Sequence, residues 1–139
     1  MRITFLLAGA LAFVLAFAPH QRAGAGTAED IQAVIEDQID AFGREDLPEA
    51  FSYASPGIQG LFGTPERFGQ MVRKGYPMVW RPARWEMLEL ESSARGPVQV
   101  VLFEDGSGRL WEAFYYMTRV DGRWRIGGVE LRRLETLGS

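Results

Sequence analysis

The hydrophobic period changes once along this chain, near Gly75, and the change predicts the fold class. Between Thr27 and Gly75, apolar residues recur at the spacing of amphipathic helices. Beyond Gly75 they fall in runs of strand length, and Asp121-Gly122 separates the last two runs in the manner of a tight hairpin turn. Helices followed by hairpin-connected strands predict an α+β fold with an antiparallel sheet.

The predicted helices start at capping residues and end at residues that stop a helix. Thr27 and Asp46 are favourable N-caps, and a proline follows Asp46 and Thr64 within the first turn. The glycine-flanked segment 58–62 is expected to be irregular or a single turn. We therefore predict three helices, at 27–43, 46–55 and 64–75, and strand-like segments at 76–80, 84–91, 98–103, 109–120 and 123–131.

The N-terminal segment has the composition of a secretory signal peptide. Arg2 precedes an apolar run that ends at Pro19, and a small-residue cleavage site follows at 23–25. The run is slightly short for a transmembrane helix, which needs about 20 residues. We expect a signal peptide at 1–25 and a single domain at 26–139 that is periplasmic or secreted. An uncleaved membrane anchor is the alternative.

The residue inventory excludes several kinds of functional site. The chain has no Cys, and its one His, His20, lies in the predicted signal peptide. A mature domain without either residue lacks the usual nucleophilic dyads and triads and the common ligands of zinc, copper and haem. The net charge of −3 becomes about −5 if Arg2 and Arg22 are removed, which argues against nucleic-acid or anionic-membrane binding. We expect no metal and no cofactor.

The predicted strand 109–120 is apolar on both of its faces. Alternation places Glu112 and Tyr116 on one face and Trp111, Tyr115 and Met117 on the other. Helices cover only one side of a small sheet, so the second apolar face needs another partner. We expect Trp111, Tyr115 and Met117 to form a face that binds a second copy of the chain or another protein.

Five stretches carry a resemblance to known proteins: 35–42 (IEDQIDAF), 50–63 (AFSYASPGIQGLFG), 71–82 (MVRKGYPMVWRP), 110–116 (LWEAFYY) and 121–131 (DGRWRIGGVEL). They resemble an uncharacterised family of exported bacterial proteins of the NTF2-like, cystatin-like type. The resemblance implies an α+β cone, with three N-terminal helices packed on a strongly bent antiparallel sheet of about four or five strands. It also implies a pocket between helices and sheet, but no activity, because NTF2-like proteins have many unrelated functions.

Four polar residues are candidates for the lining of such a pocket: Gln38, Arg81, Glu112 and Tyr116. Gln38 interrupts the apolar stripe of the first helix, where it either lines a pocket or bonds a backbone carbonyl in the core. Glu112 and Tyr116 could combine a carboxylate with a phenol, as the ketosteroid-isomerase branch of NTF2-like proteins does. The alternatives are an ion pair between Glu112 and an arginine, and a core position for Tyr116. Arg81 is either an anion holder or a partner in a cation–π contact or a salt bridge.

These observations favour a non-catalytic exported module that binds a small molecule or a partner. A carboxylate- and tyrosine-dependent lyase or isomerase is the first alternative. A structural domain that binds a protein partner through an exposed sheet is the second. The sequence identifies no ligand, substrate or partner.

Overall fold

A computed structural model describes residues 25–135 of the chain. The signal peptide predicted for residues 1–25 lies outside this range, apart from Ala25, where the first helix begins. The described residues form an α+β structure, as predicted. Its elements are α1 (Ala25–Gly43), α2 (Leu47–Ser52), α3 (Pro56–Phe62), α4 (Pro65–Gly75), α5 (Pro77–Trp80), β1 (Arg84–Ser93), β2 (Gly96–Glu104), β3 (Leu110–Val120) and β4 (Arg123–Arg133).

Side-chain caps and prolines set the starts of three of the helices. Asp46, Ser55 and Thr64 are the N-caps of α2, α3 and α4, and each side chain accepts a hydrogen bond from a backbone N–H in the first turn. A proline occupies the first or second position of each helix, where it has no intrahelical N–H to lose. These local signals explain why three short helices form in succession.

Two segments differ from the sequence-based expectation. Segment 58–62, expected to be irregular or a single turn, belongs to the seven-residue helix α3, because Ser55 and Pro56 start a helix there. Segment 76–80 is not a strand. Pro77 starts the single helical turn α5 at that point, and the carbonyl of Tyr76 accepts hydrogen bonds from the N–H groups of Val79 and Trp80. A short apolar run is compatible with either structure, so its period alone could not decide between them.

The four strands form one antiparallel sheet in the order β1-β2-β3-β4. Asp121 and Gly122 connect β3 to β4 with φ angles of 51° and 75°, the left-handed pair that a type I′ turn requires. At the turn between β2 and β3, the Asp105 carboxylate accepts hydrogen bonds from the N–H groups of Ser107 and Arg109 and from Trp111 Nε1. The hairpin predicted at Asp121-Gly122 is therefore present, and a second hairpin connects β2 to β3.

Each edge strand contains one β-bulge. The register between β1 and β2 shifts between Met87 and Leu90 of β1. The register between β3 and β4 shifts at Gly127, the residue of β4 that has no partner in β3. A bulge bends its strand and increases the local twist. At the second bulge a side chain at position 127 would approach the carbonyl oxygen of Tyr116 to 3.3 Å, so the close backbone approach favours glycine.

The helices pack on one face of the sheet, and the core lies between them. Ile31, Ile35 and Phe42 of α1 are buried there against Tyr115 and Met117 of β3. We call the opposite surface the outer sheet face. Its side chains include Val98, Val100, Leu102, Glu112, Phe114 and Tyr116. Within residues 25–135, no helix has the length and apolarity needed to cross a membrane.

Candidate functional site

A cavity of about 260 Å³ lies between the helices and the sheet. Its floor is made of buried residues, and its rim is made of partly exposed residues from α3, α4 and the bulged part of β4. The side chains that line it carry no charge. They belong to Gln38, Phe42, Ala54, Ile58, Phe62, Phe68, Met71, Val72, Tyr76, Val79, Tyr115, Ile126 and Val129, and Gly127 and Gly128 complete the wall.

The chain between α2 and α3 closes one side of the cavity by pairing with β4. Ile126 N–H donates to the carbonyl of Tyr53, and Ser55 N–H donates to the carbonyl of Ile126, both at 2.9 Å. This short parallel bridge places Ala54 beside Ile126 in the wall. The same connection leads directly into α3, which therefore starts at a fixed position relative to the sheet.

Helix α3 contributes its inner face to the rim. Ile58 and Phe62 line the cavity, whereas Leu61 on the same helix is 76 % exposed. Gln59 Nε2 donates to the carbonyls of Phe51 and Ala54, at 3.1 and 3.0 Å. These bonds and the Ser55 cap hold the helix at its N-terminal end.

Gln38 lies in the cavity lining and is only 4 % exposed. Its Nε2 donates to the carbonyl oxygen of Ala50 at 3.1 Å, which links α1 to α2. The two readings of Gln38 from sequence are therefore not exclusive, because one amide both bonds the backbone and faces the cavity. The bond fixes the orientation of the amide.

Two tyrosines line the cavity, and their hydroxyl groups differ. Tyr76 Oη donates to the carbonyl oxygen of Val129 at 3.3 Å. Tyr115 is fully buried, and its hydroxyl has no hydrogen-bond partner among residues 25–135. Burial raises the pKa of Tyr115 far above its ordinary value.

Glu112 and Tyr116 do not lie in the cavity. Both are on the outer sheet face, where Glu112 pairs with Arg132 and Tyr116 Oη donates to Glu130 at 3.0 Å. Arg95 lies over the Tyr116 ring at 4.0 Å. The hydrogen bond to Glu130 raises the pKa of Tyr116. The structure separates these two residues from Gln38 by the thickness of the sheet.

Trp111, Tyr115 and Met117 lie on the helix side of the sheet, which corrects their assignment to a partner-binding face. Tyr115 and Met117 are buried in the core, and Trp111 packs against that core. Both faces of β3 carry aromatic residues, so alternation defined two faces without showing which one the helices cover. The uncovered face is the one that carries Glu112 and Tyr116.

Arg81 lies outside the cavity lining and contacts protein groups. Its Nη1 donates to the carbonyls of Phe42 and Trp80, at 2.8 and 3.0 Å. The guanidinium also lies 5.1 Å from the centre of the Trp80 ring and 3.4 Å from Glu45. These contacts attach α5 to the end of α1 and match the alternative of a cation–π and salt-bridge role.

Comparison with known protein families identifies the family of the chain. A family model described as a domain of unknown function (DUF4864) matches residues 25–138. The chain belongs to the DUF4864 family. Neither curated proteins nor solved structures gave a match.

The cavity of this DUF4864 domain is lined by polar groups but by no charged side chain. Within residues 25–135, no cluster of three or more His, Cys, Asp or Glu residues could hold a metal ion. The polar groups of the lining are an amide, two phenols and the backbone. Tyr76 and Tyr115 were not recognised as cavity residues from sequence. One signal in the sequence could have identified Tyr115. It lies two residues after the small residue Ala113, on the same face of β3.

Proposed function

We propose that this DUF4864 domain binds a small, largely apolar molecule in the cavity and does not transform it chemically. The observation that carries the proposal is the lining, in which every side chain is uncharged and the floor is closed by buried residues. Ligand sites are usually concave and mostly apolar, with a few polar groups that orient the ligand. Gln38, Tyr76 and Tyr115 are those polar groups here.

The geometry gives less support to a carboxylate-dependent isomerase or lyase. Such a reaction needs a base within hydrogen-bonding reach of the substrate. The lining contains no Asp or Glu, and Glu112 lies on the outer sheet face in an ion pair with Arg132. Gln38 and the two tyrosines can orient a ligand, but they do not supply a carboxylate.

We also retain three proposals from the sequence. The fold is proposed to be an NTF2-like cone, which is supported by helices packed on one face of an antiparallel sheet with bulged edge strands. Residues 1–25 are proposed to be a cleaved signal peptide, leaving a single domain at 26–139. The protein would then be periplasmic or secreted. The apolar run before Pro19 and the small residues at 23–25 support export.

A second copy of the chain is the partner that we propose for the outer sheet face. Leu102, Leu110 and Phe114 are its partly exposed apolar residues, whereas Val98 and Val100 on the same face are buried. Acid–base pairs such as Glu112 with Arg132 lie beside them. A two-fold interface places identical patches against each other. A patch that contains acidic and basic side chains suits that arrangement, because it can be complementary to itself. Light scattering should give a dimer at micromolar concentration, and Phe114→Glu should give a monomer. A monomeric unmodified protein would contradict this proposal.

A thermal-shift screen against small neutral molecules tests the binding function. A ligand at about 100 times its Kd should stabilise the protein by about 2.7 kcal/mol. Ile58→Trp should abolish the shift, because the larger side chain fills the rim of the cavity. Leu61→Trp is the matched control, since Leu61 lies on the same helix and is exposed. A ligand whose effect is identical in both variants binds elsewhere, and that result would refute the cavity as the site.

A further inference from the structure

The two cavity tyrosines raise a question about Tyr115. The Tyr76 hydroxyl has an acceptor in the backbone of β4, so its role in the unliganded protein is structural. The Tyr115 hydroxyl has none among residues 25–135, although the side chain is fully buried. A buried donor without an acceptor destabilises a fold, and phenylalanine would fill the same space without that cost. A group of this kind is a candidate for ligand contact.

We infer that Tyr115 is the hydrogen-bond donor to the ligand, and that the ligand is a neutral molecule with an apolar body and one acceptor oxygen, such as a ketone, an ester or an alcohol. This inference rests on the proposed binding function and specifies the class of ligand. Tyr115 then acts as a positioning and specificity residue. The acceptor oxygen lies at the buried floor, and the apolar body extends towards Phe62 and Met71 at the rim.

The lining explains why the ligand is neutral. A carboxylate or an ammonium group in this cavity would lose its water and meet no opposite charge. Arg81, near the end of α1, is already bonded to two backbone carbonyls and lies outside the lining. The phenol of Tyr115 is protonated at neutral pH, as an ordinary tyrosine is, so it can donate a hydrogen bond.

The volume sets the size of the probes. An apolar cavity of about 150 Å³ accommodates benzene, and this cavity is about 260 Å³. Substituted benzenes are therefore suitable probes. Acetophenone, cumene and benzoate have the same number of heavy atoms and nearly the same shape. They differ in the group that would reach the floor: a neutral acceptor, an alkyl group and an anion.

The experiment measures the affinity of each probe for the unmodified protein, for Tyr115→Phe and for Tyr116→Phe by calorimetric titration at pH 7. We expect Tyr115→Phe to weaken acetophenone binding by about three- to tenfold, the contribution of one hydrogen bond. Cumene binding should stay the same or become tighter. Tyr116→Phe is the matched control, because it removes a bonded hydroxyl on the outer sheet face, and it should leave the ratio of acetophenone to cumene affinity unchanged. Benzoate should bind more weakly than acetophenone to all three proteins.

The outcomes separate this inference from the function on which it rests. Equal effects of Tyr115→Phe on acetophenone and cumene would overturn the role of Tyr115 while leaving a binding cavity in place. Benzoate binding that equals acetophenone binding would overturn the neutral ligand class. If none of the three probes binds, the proposed function fails and the inference fails with it.

Discussion

Arg132 Nη2 donates a hydrogen bond of 2.7 Å to Glu112 Oε1 across the β3–β4 pair. The guanidinium also lies 5.4 Å from the centre of the Phe114 ring, so Arg132 covers part of the outer sheet face. The bond raises the pKa of the Arg132 guanidinium. Glu112 thus has a structural partner on the side of the sheet that faces away from the cavity.

The first prediction follows from this pairing. Glu112→Gln should leave the affinity for cavity ligands unchanged and should lower the midpoint of thermal unfolding by no more than a few degrees, because Arg132 is largely exposed. Thermal unfolding and ligand titration of the same sample would check both parts. Loss of ligand binding without loss of stability would restore Glu112 as a functional residue.

The second prediction concerns the stability of the unliganded protein. Tyr115→Phe should not destabilise it and should raise the free energy of unfolding by about 1 kcal/mol, since it removes a buried donor without an acceptor. Tyr76→Phe should have the opposite sign, because it removes the bond to Val129. Urea unfolding of the two variants gives the comparison. Strong destabilisation by Tyr115→Phe would mean that the hydroxyl has a structural partner.

The third prediction tests the bulge in β1. Gln99 is fully buried, and its Nε2 donates to the carbonyls of Leu88 and Glu89 at 2.9 and 3.3 Å. Gln99→Leu should lower the free energy of unfolding by about 1–3 kcal/mol, because partly buried carbonyls at the bulge lose their donor. Gln32→Leu is the control. It removes only the 3.4 Å bond to Gln99 and should cost less than about 0.5 kcal/mol. If both variants lowered the free energy of unfolding by the same amount, the result would contradict a role for Gln99 in stabilising the bulge.

The fourth prediction is a pH dependence at the β2–β3 turn. The hydrogen bond from Ser107, followed by that from Trp111, holds the pKa of Asp105 well below its ordinary value of 3.8. A carboxyl group whose pKa is lowered by folding stabilises the fold above the ordinary value and loses that effect as the pH falls towards the folded value. Asp105→Asn should therefore be less stable than the unmodified protein at pH 7.

The difference between these two proteins should shrink as the pH is lowered below about 4. Urea unfolding at pH 7, 5 and 3, followed by tryptophan fluorescence, would measure it. Glu36→Gln, on the exposed face of α1, controls for the loss of a surface carboxylate. A difference that stays constant with pH would show that Asp105 acts through its shape and not through its charge.

Local signals in the sequence predicted much of the fold. Capping residues such as Asp46 and Thr64 marked helix starts, and Asp121-Gly122 marked the last hairpin, because each of these signals acts within a few residues of itself. The four-residue helix α5 was not predicted, because signals that act within a few residues do not distinguish it from a strand. Its apolar residues suit a strand equally well, and the contact of Arg81 with the end of α1 is a tertiary effect that no local pattern records.

The site was less predictable than the fold. Gln38 was singled out because one polar residue interrupts a helical stripe. To identify the cavity tyrosine, one must know which face of β3 the helices cover. The sequence does not show this, because the neighbouring residues Tyr115 and Tyr116 place the same kind of side chain on opposite faces. A shift of one residue moves a side chain across the sheet. The cavity tyrosine therefore became apparent only from the packing.

The most direct test of the account is a heteronuclear NMR titration of the protein with cumene. Binding in the cavity predicts saturable shifts of amides along the lining, including Gln38, Val72 and Tyr115, and no such shifts in the Ile58→Trp variant. Shifts centred on Phe114 of the outer sheet face, or no saturable shifts at all, would contradict the claim that the space between helices and sheet is a binding site.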